Sequence, residues 1–351
     1  MSATAESTGT QGRTPRVLLI GLEFVDPLFS GNGIYSRSIV RSLIFTAGYD
    51  VHVLCGRPKA DAEKPVDVSS HDLATAVADG RLTFSVCPLP VWRKLDADSS
   101  WTEFGDLSKG HVTDILHKFR PTVVFGVDWT SAVAFQAMNM GNVPFYYFVF
   151  RSFSAEQGLP AAKKEWYTDK EQSAAKVAAG CVVLSQVDRK WNVDSYVTDT
   201  PLRVHVLNPP IREDFYDLYF SSHVTRDCPW SHRRHITCCS RLEPSKRVDL
   251  FVDMMVHCAG YLKERGYVPL LIGSRTDAGY SDRIVRQLQA AYPEEGACVI
   301  MDFVKDPQQL MAMWESTVLN VHPALYESYG MTICEAALFG VPTLLDQGTF
   351  S

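Results

Sequence analysis

Short apolar runs alternate with longer amphipathic stretches along nearly the whole chain. The first run is Val17 to Ile20, inside a predicted strand over 16–21. A loop through Gly31-Asn32-Gly33 follows, then Ile34, Ile39, Val40 and Leu43 at helical spacing up to Gly48. Further runs predict strands over 82–86, 122–126, 145–150, 181–185 and 204–207, with helices over 114–119, 131–138 and 165–178. A second series opens with a strand over 235–239 and a helix over 248–257. It continues through strand 270–273, helix 284–291, strand 299–301, helix 308–314, the run Val318, Leu319 and Val321, and strand 343–345. This alternation of strands and helices implies a mostly parallel sheet covered on both faces. At 351 residues the chain exceeds the size at which one core usually splits, so two such domains are expected. The expected division is a flexible tail over 1–15, a first domain over 16–215, a linker over 216–234 and a second domain over 235–351. Residues 221–234 carry no periodicity and contain Pro229 and an Arg/His cluster.

The chemistry concentrates in residues 320–342. The apolar run stops at Pro323, a polar loop reaches Gly330, and a small-residue helix carries Ile333, Ala336, Ala337 and Phe339 before Gly340. Ligands of parallel α/β sheets collect at strand carboxyl ends, where helix N-termini offer free amides to anions. Glu327 and Glu335 flank such amides at Tyr329, Gly330, Met331 and Thr332, and carboxylates accept hydrogen bonds from sugar hydroxyls. Taken alone, Glu335 is merely favourable to the helix dipole and Glu327 a solvated loop residue. Upstream, Arg241 and Lys246 share the loop between strand 235–239 and the next helix, and two cations there can neutralise a diphosphate leaving group.

Other signals are weaker. Gly31 and Gly33 let a backbone approach a ligand, but the spacing is not G-x-G-x-x-G, which leaves a nicotinamide dinucleotide little support. Asp128-Trp129 follows a strand end, where a ligand contact and simple Trp packing are equally open. Asp96-Ala97-Asp98 lies in a polar stretch without a preceding strand and reads as a solvated loop.

The segment Glu327 to Glu335, with its Tyr-Gly-Met-Thr and Glu-Ala runs, resembles the E-x7-E signature of family 4 retaining glycosyltransferases of the GT-B fold. Arg241 and Lys246 match that family's Arg-x4-Lys pair in register. The resemblance implies two Rossmann-like domains facing a cleft, and transfer of a hexose from a UDP- or GDP-sugar to a hydroxyl acceptor. Glu327 would contact the donor sugar, the amides of Tyr329 to Thr332 the sugar and diphosphate, and Glu335 the ribose. Arg241 and Lys246 would stabilise the departing nucleoside diphosphate. The Gly31/Gly33 loop would face the acceptor and donor phosphates, residues 48–54 would form the strand that follows the first helix, and Gly273, Phe303 and Val304 would pack the base. The acceptor hydroxyl would attack from the vacated face, helped by a phosphate oxygen, without a protein nucleophile. The chain departs from the family in 148–152, which has no His but carries Arg151, and at Pro209, which replaces a Gly after Asn208. Family members also continue with further βα units and a C-terminal helix, so the second domain is expected to be incomplete. The departures keep open a catalytically silent sugar-nucleotide-binding paralogue or scaffold subunit.

A net charge of -6 gives no electrostatic footprint for nucleic acid. No apolar stretch approaches the roughly 20 residues that span a bilayer, and the first fifteen residues lack a signal's apolar centre. Nine cysteines without regular spacing fit reduced thiols, so a cytoplasmic location is expected. No residue cluster has metal-ligand spacing, and no cofactor beyond the donor is expected. The expected partners are the nucleotide sugar and a glycan, lipid or small-molecule acceptor. Trp92, Arg93, Lys94 and Trp101 form either an interfacial membrane patch or a loop with buried tryptophans.

Overall fold

The computed structural model describes residues 15–26, 28, 30–68, 70–90, 101–154, 159–191, 196, 201–212, 215, 230–302, 304 and 306–346. The expected tail up to residue 14, the Asp96/Asp98 pair, Trp92 to Lys94, Phe303 and most of the expected linker lie outside them. The described residues fall into two compact units. One lies within 1–150, 172–182 and 197–205, the other within 151–171, 183–196 and 206–351.

A seven-stranded sheet has the order β3-β2-β1-β4-β5-β6-β7. Its strands are β1 (Arg16–Gly21), β2 (Asp50–Pro58), β3 (Leu82–Leu89), β4 (Val123–Val127), β5 (Phe145–Val149), β6 (Gly180–Val183) and β7 (Val204–Val206). β1 lies between β2 and β4 and runs parallel to both, with Val17 paired to Val51 and to Val123. That central place explains its unbroken apolar run, since Val17 to Ile20 are fully buried. Its helices include α1 (Gly31–Arg41), α2 (His71–Ala78), α3 (Trp101–Ser108) and α4 (Asp128–Met138); α5 (Ala161–Val177), which the two units share, and α6 (Gln186–Trp191), which falls in the other unit, follow β5 in the chain.

The second sheet, in order β10-β9-β8-β11-β12, is also parallel. It comprises β8 (His235–Cys239), β9 (Val268–Ile272), β10 (Val299–Met301), β11 (Thr317–His322) and β12 (Thr343–Leu345). Helices α7 (Val248–His257), α8 (Ala259–Glu264), α9 (Ala278–Ala291), α10 (Pro307–Ser316) and α11 (Met331–Leu338) connect them. One core cluster holds Phe251, Ile284, Leu288 and Val321, and a second holds Phe215, Trp314, Ala336 and Phe339. Strand periodicity put β8, β10 and β12 where they stand.

Helix starts differ more. α4 begins at Asp128 rather than 131, because Asp128 adopts a left-handed φ of 57° and turns β4 into the helix without a loop. α9 begins at Ala278 rather than 284, since Asp277 caps it by accepting the Tyr280 amide at 2.9 Å. α5 begins at Ala161 rather than 165. In both α5 and α9 the opening turn carries no large aliphatic residue to set a periodic signal. Helices α2, α3, α6 and α8, which periodicity did not predict, are only six to eight residues long. Trp101 opens α3 with its ring edge-on to the buried Trp129 at 5.3 Å, so Trp129 serves packing. Among the described residues no helix is long and apolar enough to cross a membrane.

Candidate active site

In the second unit the strand order reverses between β8 and β11, the point where an open parallel sheet leaves a crevice beyond its carboxyl ends. The loops that follow these two strands carry the Arg241/Lys246 pair and Glu327 respectively. Backbone contacts fix them. Ser240 donates its amide to Ile272, Leu242 donates to Ser274, and Leu325 of the β11 loop donates to Ser245 at 3.3 Å. At Gly273 a Cβ would overlap the Ser240 carbonyl, so only glycine allows the β9 end and the β8 loop to touch. A single turn, Pro244–Lys246, then ends in Arg247 at φ 47°, which starts α7.

This geometry brings Lys246 to Glu327, with Nζ 2.7 Å from Oε2. His322, the last residue of β11 and only 3% exposed, places Nε2 3.0 Å from the same oxygen. An ionised carboxylate only accepts, so this imidazole nitrogen donates. Burial alone pushes the Glu327 carboxyl up, but the Lys246 ammonium and the His322 hydrogen bond outweigh it and hold Glu327 well below the usual carboxylate range. Arg241 points elsewhere. It is 41% exposed and pairs with Glu243 at 3.1 Å, while Glu243 also accepts from Ser245 and Thr276. Of the two loop cations, Lys246 alone is ion-paired to Glu327.

Gly330, at φ 78°, caps α11, and a side chain there would also strike Ile333. The first-turn amides of Met331 and Thr332 fall where an α-helix leaves its N–H groups without intrahelical acceptors. Glu335 lies one turn further and is 6% exposed, with Arg212 at 3.8 Å. The Arg212 guanidinium also covers the Phe215 ring at 4.8 Å. Burial, with the hydrogen bond to Cys334, pushes the Tyr329 phenol up to about 12. Val304 is buried in the core with Leu310 and Trp314.

Sequence reasoning missed His322, although it stands within residues 320–342, and Arg212. It also missed a buried carboxylate beside the Glu327 loop. Asp188 of α6 accepts the Tyr326 hydroxyl at 2.7 Å and the Ser185 hydroxyl at 3.1 Å. Burial raises it to about 6, against the lowering effect of Tyr326, Ser185 and Ser328. A second buried acid, Glu171, organises the segment that lacks the family's His. It accepts the Phe153 amide at 2.6 Å, the Ser154 amide at 3.4 Å and the hydroxyls of Ser152 and Ser154. Its carboxyl is nevertheless raised, by burial. Arg151 itself stacks on Phe153, 5.3 Å from the ring centroid.

In the first unit the order reverses between β1 and β4. There Gly31 opens α1 behind its N-cap Ser30, which accepts the Asn32 amide at 3.1 Å. The amides of Ser30 and Gly33 donate to the buried Glu23 carboxylate at 3.2 and 3.3 Å, and the Ser30 hydroxyl joins them. Asp128 accepts from the Asn32 side chain at 2.6 Å and from the Phe150 amide at 3.3 Å.

The fold has many solved counterparts. Sucrose-phosphate synthase from Thermosynechococcus elongatus superposes with a TM-score of 0.70 at 16% identity, covering 95% of this chain and 82% of that one. WaaG, a glycosyltransferase involved in lipopolysaccharide biosynthesis, gives 0.65 at 14% identity over 95% and 82%. HepE from Anabaena, in complex with UDP and glucose, gives 0.62 at 14% identity over 95% and 81%. No curated protein matches the chain. The model of the family 4 glycosyltransferases in conflict systems matches residues 170–349, which include the whole β8–β11 site. The chain, a glycosyltransferase with two parallel-sheet domains of the GT-B kind, belongs to that family.

Proposed function

We propose that the protein is a retaining, metal-independent transferase that moves a hexose from a UDP- or GDP-sugar to a hydroxyl acceptor. The carrying observation is the Lys246–Glu327–His322 cluster beside the α11 N-terminus, at the switch point of the second sheet. Glu327, kept ionised, is an acceptor for donor-sugar hydroxyls. Lys246 supplies positive charge for the leaving diphosphate, with Arg241 swinging from Glu243 to join it and the amides of Tyr329 to Thr332 completing the cradle. Glu335 takes the ribose, and Gly273 and Val304 border the base. That HepE was solved with UDP and with UDP-glucose supports a uridine donor.

The test is calorimetric titration with UDP, GDP, ADP and their common sugar conjugates, with and without EDTA, followed by turnover of the donor that binds. Chelator-insensitive binding that is lost in Lys246→Ala supports the reading. Binding without hydrolysis or transfer would instead favour a silent sugar-nucleotide binder, the reading that Arg151, packed on Phe153 where the family has a His, keeps in play.

A further inference from the structure

Glu327 is held twice. Its carboxylate meets Lys246 and His322, while the residues on either side of it are tied to one other group, the buried carboxylate of Asp188. The Tyr326 hydroxyl donates to Asp188 Oδ1 at 2.7 Å, across 138 residues of sequence. The Ser328 hydroxyl lies 3.1 Å from the Tyr326 oxygen and, like it, favours the ionised form of Asp188. Asp188 is 1% exposed and Ser328 6% exposed, so water does not compete for these bonds.

The local role of Asp188 leaves this capacity free. Ser185 caps α6 by accepting the Asp188 amide at 3.1 Å and donates its own proton to Oδ2. In an ordinary Ser-x-x-acid capping box the acid turns back to the cap residue's amide. Here its carboxylate meets the Ser185 hydroxyl and extends to the β11 loop. The groups facing it are Ser185 from its own helix, Tyr326 and Ser328 from that loop, and the negative charge of Glu327.

We infer that Asp188 is a positioning residue for the donor sugar: through Tyr326 and Ser328 it sets the backbone on both sides of Glu327 and so aims that carboxylate. The inference rests on the proposed role of Glu327. It predicts a split between ligands: the nucleoside diphosphate is held by Lys246, Glu335 and the α11 amides, none of which Asp188 touches, whereas the sugar depends on the aim of Glu327.

The experiment measures the affinities of UDP and UDP-glucose, or of GDP and GDP-mannose, together with donor turnover. The variants are Asp188→Ala, Asp188→Asn, Tyr326→Phe, Asp188→Ala/Tyr326→Phe and Glu327→Ala. Tyr326→Phe keeps the ring and removes only the hydroxyl, so it serves if Asp188→Ala fails to fold. Asp188→Ala and Tyr326→Phe should each weaken the sugar nucleotide, or lower kcat, by about tenfold while nucleoside diphosphate affinity stays within about twofold. The double variant should be no worse than Asp188→Ala alone, because Tyr326→Phe breaks a link that Asp188→Ala already removes. Asp188→Asn, which keeps an acceptor oxygen for Tyr326, should recover part of the loss. Equal weakening of nucleotide and sugar nucleotide, additive losses, or full activity in Tyr326→Phe while Glu327→Ala is impaired would each overturn the inference. If Glu327→Ala itself changes nothing, it is the proposed function that fails.

Discussion

Lys246 Nζ and Glu327 Oε2 lie 2.7 Å apart, 81 residues from each other in sequence, and each is more than three-quarters buried. The cation expected at the leaving group is thus neutralised by the carboxylate expected at the sugar. A diphosphate that engages Lys246 therefore competes with Glu327 for it.

Lys246→Ala should lower donor turnover at least about 100-fold, the usual cost of removing one preorganised charge or donor from a developing anion. It should also destabilise the fold by about 1–3 kcal/mol, because Glu327 then keeps only His322. Initial rates and thermal unfolding of the same preparation check both. A solvated lysine would change neither.

The acid limb of stability should bear the mark of Glu327. Its folded value lies below the ordinary carboxylate range, so its contribution is fully present above the ordinary value of 4.5 and is lost as pH falls through and below that range. Glu327→Gln should flatten the decline of the unfolding midpoint below about pH 4.5 and leave its slope near neutrality unchanged.

Asp188 has the opposite sign. Its folded value is raised from the ordinary 3.8 to about 6, so the stability of the neutral form is present below 3.8 and is lost as pH rises through about 6. A rise of this size corresponds to about 3 kcal/mol between the protonation states. Asp188→Asn should abolish the loss between pH 4 and 6, as read by denaturant unfolding at several pH values.

Glu171→Ala should cost at least about 2 kcal/mol, since it strands the buried Phe153 amide and the hydroxyls of Ser152 and Ser154. Chemical denaturation measures this directly. An effect within about 0.5 kcal/mol would mean that water satisfies these donors.

Gly273→Ala should destabilise by about 1–3 kcal/mol, the range for overpacking, because the new methyl overlaps the Ser240 carbonyl. The same change shifts the loop that leads to Lys246, so nucleotide affinity should fall with stability. Titration of the folded fraction separates the two effects.

The sequence makes the chemistry-bearing loops legible for a local reason. Each follows a short, largely apolar strand, and offsets from a strand end survive folding, so their places in the chain, together with the family resemblance, singled out Lys246 and Glu327. Their partners could not. His322 reads as one more residue of an apolar run, and Asp188 meets Tyr326 only because α6 and the β11 loop pack together. The one local trace of Asp188 is the Ser185-x-x-Asp188 spacing, which announces a helix start and nothing about a sugar site. The start of α4 escaped because Asp128 takes a backbone conformation that non-glycine residues seldom adopt.

Glu23 gives the first unit a different electrical character from the second. The α1 N-terminus, the kind of place where parallel α/β folds usually welcome an outside anion, already holds a counter-ion built into the chain, bound to the Ser30 and Gly33 amides. A phosphate arriving there would meet a resident negative charge and would have to evict it. The Gly31–Gly33 turn thus has its amide donors answered from within the chain, a negative end fixed by sequence rather than recruited from solution.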